Sequence, residues 1–229
     1  GISDVPYTKG SWFLQLLERR FGRLVFDPFL RGYFDHYAFQ SITTEQFLDY
    51  LKKHLLDAHP GKMSMEEVNT WIHQPGIPAD APLPTSLRFQ QLGHQRDNWL
   101  AGNLDSKTLN AKQWTTQEWQ YFLDSLPETL QPEQMFALDD AYQLTGTGNA
   151  EIAFRWYLLA VRSGYVAARP AMRAHMLKIG RRKLVVPLYE QLAKTPEGKS
   201  FALEVYKQAR PGYHPMTQDA VDKAVGLSK

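Results

Sequence analysis

The sequence predicts an all-α protein, and three observations predict it. Apolar residues recur at three- and four-residue spacing along most of the 229 positions. Three of these runs open on Ser or Thr followed three residues later by Glu or Gln, the pattern of a capping box. Sustained β alternation is missing, and the one strand-like run, "KLVVPLY" at 183–189, carries Pro187, which interrupts a ladder.

The elements follow in order. In "VPYTKGSWFLQLLERRFG" a polar, aromatic turn leads into a helix carrying Trp12, Phe13, Leu16, Leu17 and Phe21, with Gly22 placed to stop it. A second helix is expected from about Pro28 to Phe39, with the proline in its first turn. Thr43 with Gln46 opens a third, and Ser64 with Glu67 a fourth. "HQPGIPADAPLPTS", residues 73–86, then places four prolines and a glycine in fourteen residues, which favours an extended, stiff connector and a boundary. Helices resume at 87–101, 116–126, 132–144, 150–163, 166–179, 184–195, 198–209 and 216–226. Thr115 with Glu118, Pro132 and Asn149 start three of them, and Gly164 and Gly180 follow the helices at 150–163 and 166–179. Eight helices with short joins predict antiparallel neighbours stacked into an α-α superhelix, without a strict repeat period.

Composition narrows the class. No apolar run approaches the ~20 residues a membrane span requires, and no signal peptide is visible, so a cytoplasmic protein without membrane partners is expected. With no cysteine, disulfides and thiolate metal sites are excluded. The net charge of +2 is unevenly spread: residues 151–210 hold twelve Lys or Arg against four Glu, a local +8, which leaves −6 for the remainder.

Complete catalytic motifs are missing. The seven histidines never fall four apart, the spacing that sends two imidazoles from one helix face to one zinc ion. "HExxH", a phosphate-cradling glycine loop and a GxSxG elbow do not occur. Asp139 and Asp140 are adjacent, so on a helix they point apart. Two stretches remain. Tyr7, at the mouth of the first helix, suits either an oxyanion hydrogen bond or a half-buried anchor. Arg181 and Lys183, just past Gly180, converge on one anion if they lie in a turn, or form a solvated basic helix end favourable to the dipole.

The order of the pieces carries more than any one of them. "VPYTKG", "SITTEQF", a Trp-x-x-x-Pro-Gly-x-Pro run from Trp71 to Pro78, "AEIAFRW", "GRRKLVVPLYEQLA" and "YHPMT" occur in sequence. Together they resemble the C-terminal portion of the zinc aminopeptidases related to leukotriene A4 hydrolase and aminopeptidase B, over nearly the whole chain. The resemblance implies that residues 1–72 are the last helices of a thermolysin-like catalytic domain, 73–86 a proline-rich linker and 87–229 an armadillo-like α-helical superhelix. It implies that the family's "HExxH" zinc motif and "GxMEN" loop lie upstream of the matched region. Zinc then belongs to the full-length parent, this chain is not expected to bind zinc or hydrolyse peptides by itself, and the remainder of the catalytic domain is its partner. By the same resemblance Tyr7 matches the catalytic tyrosine that donates to the tetrahedral intermediate. Arg181 matches the arginine that recognises the carboxylate of a short peptide substrate, and Lys183 its neighbouring lysine. Ile2 stands where leukotriene hydrolases carry a further tyrosine, which implies plain aminopeptidase chemistry rather than epoxide hydrolysis. Two other readings compete: a non-catalytic α-helical scaffold for protein interaction, and nucleic-acid binding by 151–210. The latter lacks any known motif, so nucleic acid is not an expected partner.

Overall fold

A computed structural model describes residues 5–82 and 85–227, and among them every regular element is helical. Two compact units emerge, 1–85 and 86–229, each with its own core.

The first unit holds α1 (Val5–Phe21), α2 (Arg23–His36), α3 (Thr44–Leu51) and α4 (Met65–His73). Phe13, Leu16, Leu17 and Phe21 line the buried face of α1 and meet Phe26 and Phe29 of α2, with Leu51, Leu55, Val68 and Trp71 closing the core. Capping boxes form at Thr43 and Ser64, where each side chain accepts from the backbone N–H three residues on. Two expectations need correction. Val5 to Gly10 is the first turns of α1 rather than a preceding turn. Gly22, in the left-handed region at φ 78°, starts α2 at Arg23, so Pro28 falls inside that helix and not in its first turn. The carbonyl that Pro28 cannot bond belongs to Leu24, whose side chain is fully exposed, so water can satisfy it. Beyond α3 the chain widens into one π-helical turn, Lys52–Leu56, which periodicity alone does not signal.

The proline-rich stretch is strapped to the first unit at least as far as Ala81, which packs on its core. Asp80 accepts from Arg20 at 2.7 Å and from the Trp71 indole at 3.1 Å, and Arg20 also holds Glu67 at 2.6 Å. Gly76, at φ 81°, takes the left-handed turn that sends the chain back.

The second unit holds α5 (Leu87–Leu100), α6 (Thr116–Asp124), α7 (Pro132–Tyr142), α8 (Ala150–Arg162), α9 (Arg169–Lys178), α10 (Arg182–Leu192), α11 (Pro196–Ala209) and α12 (Pro215–Val225). Alternate helices pack on one another: α6 on α8, α8 on α10 and α10 on α12 form one layer, and α9 on α11 part of the other. That is the two-layer stacking of an α-α superhelix. Trp156, Tyr189, Tyr206 and Phe122 are fully buried at its centre. Short 3₁₀ turns fill the joins, including Ser106–Leu109 and Ala111–Gln113 between α5 and α6.

The start of α8 is fixed from three sides. Asn149 caps it by accepting from Glu151 and Ile152 N–H, and its amide donates to Thr116 at the start of α6. Asp139 holds the preceding turn through the Thr145 N–H and hydroxyl. The Trp156 indole donates to the same hydroxyl oxygen at 2.9 Å, and the Tyr157 hydroxyl to the Thr145 carbonyl at 2.8 Å. Glu151 thus projects from a rigid first turn.

Candidate functional site

Lys178 ends α9, Ile179 and Gly180 make the corner, and Arg181 is the N-cap of α10, with Arg182 and Lys183 its first two residues. The basic cluster therefore sits at the positive end of a helix. A cation at a helix C-terminus gains from the dipole, whereas one in the first turn is opposed by it. Reading these residues as a dipole-stabilised helix end thus fails. No acidic residue in the first turn of α10 offsets the charge.

The offset comes from α8. Lys183 Nζ donates to both oxygens of Glu151, at 3.2 and 3.1 Å. Arg181 approaches the nearer oxygen only to 3.9 Å, an ion pair without a hydrogen bond. Arg155, one turn along α8, donates to Glu151 at 3.1 Å and through its Nε to Asp124 at 2.9 and 2.8 Å. Burial pushes the Glu151 carboxyl up, but the hydrogen bonds and charges of Lys183 and Arg155 outweigh it and hold the group below the usual carboxylate value. Arg181 and Lys183 do meet at one carboxylate, and it is the chain's own. The side chain of Arg181 remains 68% exposed, that of Glu151 25%.

The corner is braced from behind. The Tyr213 hydroxyl donates to the Met176 carbonyl oxygen at 2.6 Å, and the Thr217 hydroxyl to the Gly180 carbonyl oxygen at 3.4 Å. Both residues belong to "YHPMT", so that run supports "GRRK" from α12 and the turn before it. Glu151, Tyr213 and Thr217 are the members that motif reading left without a task. Glu151 lies in "AEIAFRW", but only the packing of α8 on α10 brings it to Lys183.

Tyr7 lies in the first turn of α1 and is 76% exposed. An anchor would be half-buried, so packing does not account for it. Its ring borders an apolar groove of about 590 Å³, with Leu14, Phe26, Phe29, Tyr33 and Phe34 among the walls. Ile2 lies outside the described residues.

Among the described residues, no three His, Asp or Glu side chains gather as a metal would require. No helix among them is long and apolar enough to cross a membrane. In 151–210, Arg155, Arg169, Arg173, Lys183 and Arg210 each pair with a carboxylate.

Comparison with known proteins finds relatives of the chain. Residues 114–225 match the family model for the C-terminal domain of leukotriene A4 hydrolase, and residues 2–71 the model for the peptidase family M1 domain. The chain is 29% identical over 234 residues to leucine aminopeptidase 2 of Pyricularia oryzae, covering 99% of this chain and 38% of that protein. To leucine aminopeptidase 2 of Eremothecium gossypii it is 30% identical over 253 residues, covering 99% and 40%. It resembles the solved structure of native yeast LTA4 hydrolase with a TM-score of 0.77 and 26% identity, over 99% of this chain and 40% of that one. The chain thus spans about two fifths of the length of these relatives.

Proposed function

Because the chain belongs to the leukotriene A4 hydrolase branch of peptidase family M1, we propose that it acts as the C-terminal portion of a zinc-dependent aminopeptidase releasing N-terminal residues from short peptides. On this reading the first unit is the end of the catalytic domain, and the second is the helical domain that reads the far end of the peptide. The described residues offer no ligand set for zinc. The reading therefore draws the metal's ligands from the remainder of the catalytic domain and assigns no metal step to this chain.

The observation that carries the proposal is the exposed guanidinium of Arg181 at the N-terminus of α10, in an arrangement that costs helix stability and yet is braced by Tyr213 and Thr217. Such a group suits a substrate carboxylate: the guanidinium can fork onto it, the helix N-terminus adds its dipole, and Lys183 stands beside it, holding Glu151. Tyr7 is assigned the hydrogen bond to the oxyanion that forms as water attacks the scissile carbonyl. A donor of this kind is worth about 3 kcal/mol in the transition state.

The test compares two substrates in the complete enzyme. Arg181→Ala is expected to raise KM steeply for tripeptides and to leave aminoacyl arylamides, which have no carboxylate, unchanged. Equal effects on both would remove Arg181 from substrate recognition.

A further inference from the structure

Three cations, Arg155, Lys183 and Arg181, approach two carboxylates, Glu151 and Asp124, and one positive charge is left over. Geometry decides where it resides. Arg155 is committed: its side chain is only 15% exposed and it hydrogen-bonds both acids. Lys183 is committed too, since it donates to both Glu151 oxygens. Arg181 stops at 3.9 Å from Glu151 and is the most exposed of the three, so the unbalanced charge is its own.

Resting on the reading of Arg181 as the peptide-carboxylate anchor, we propose that Glu151 is the specificity-determining and positioning residue of that site. By holding Lys183 it leaves Arg181 as the one unbalanced cation beside Glu151, a single guanidinium matched to the one carboxylate of a peptide C-terminus. A doubly charged group, such as a C-terminal aspartate, would bring its second charge towards Glu151 and be repelled. The preferred substrates are then short peptides whose last residue is uncharged. Glu151 acts through Lys183 and Arg181, and it can do so because Asn149 and Arg155 hold its own turn in place.

N-acetylalanine, a monoanion, and N-acetylaspartate, a dianion, separate the alternatives. Each is titrated into the 229-residue chain while backbone amide shifts at 181–184 are followed by NMR. The unaltered chain is expected to favour N-acetylalanine, and Glu151→Gln to raise the relative affinity for N-acetylaspartate about tenfold. Lys183→Met is expected to weaken N-acetylalanine about tenfold, because Glu151, deprived of its lysine, turns to Arg181 as an internal competitor. Should Glu151→Gln not fold, the lysine variant decides. The inference is overturned if Glu151→Gln leaves the ratio unchanged, or if Lys183→Met leaves N-acetylalanine binding unchanged. Loss of binding in Arg181→Ala alongside an unchanged ratio in Glu151→Gln would sink this inference alone. Retained binding in Arg181→Ala would sink the carboxylate anchor as well.

Discussion

The Tyr213 hydroxyl reaches across the helix corner to the Met176 carbonyl oxygen, 2.6 Å away, at the end of α9. Met176 lies in the last turn of that helix, where carbonyls lack an intrahelical donor, and the site is buried. Tyr213 also shares its hydroxyl with Tyr189 at 3.2 Å. Tyr213→Phe keeps the ring and deletes the donor, so it should destabilise the second unit by about 1–2 kcal/mol. Urea denaturation measures this. An unchanged midpoint would mean that the corner is held by packing alone.

Arg20 bridges Glu67 and Asp80, and Asp80 also takes the Trp71 indole. These partners are partly exposed, so solvent screening limits what Arg20→Met costs to about 1 kcal/mol. Its clearer effect should be local. With Asp80 released on one side, limited proteolysis should cut faster between 74 and 82, while cleavage within the second unit keeps its rate. Equal acceleration in both would contradict the strap.

The capping boxes and the periodic helices of the second unit were legible because each is written in neighbouring residues. Thr43, Ser64 and Thr115 each bond the residue three positions on, and sequence shows such pairs directly. Pro28 misled because Gly22 both stops α1 and starts α2, so the helix begins five residues before the proline. The charge partner of Lys183 lies 32 residues away, and its place depends on the stacking of α8 against α10. No spacing rule carries that information. The direction of the dipole at Arg181 was hidden for a smaller reason: the corner is so short that only three residues lie between one helix end and the next helix start.

Tyr7 is exposed and lies in a first turn, so removing its hydroxyl should not affect folding. In the complete enzyme, Tyr7→Phe should lower kcat about a hundredfold, the loss expected for one oxyanion donor, with KM nearly unchanged. Steady-state kinetics on an aminoacyl arylamide checks this. A change confined to KM would assign Tyr7 to binding and not to the transition state.

His175 gives the fold a pH dependence of its own. It is buried on α9 against the edge of Tyr157, and its Nε2 has no partner among the described residues. Burial lowers its pKa below the ordinary 6.5, against a smaller opposing effect of the Leu184 backbone. A depressed folded-state pKa means that the unfolded chain takes up the proton first as the solution is acidified. The stabilisation from keeping this imidazole neutral is therefore complete above pH 6.5 and is lost as pH falls from 6.5 through the folded value. The paired carboxylates act lower: Glu118, held down chiefly by Arg88 and the Thr115 N–H, loses its contribution only below its ordinary 4.5. Urea midpoints between pH 7 and pH 5 should accordingly fall in the unaltered chain and fall less in His175→Leu, whatever that substitution does to stability at pH 7. Identical slopes in the two proteins would show that His175 titrates alike folded and unfolded, and that its burial costs the charged form nothing.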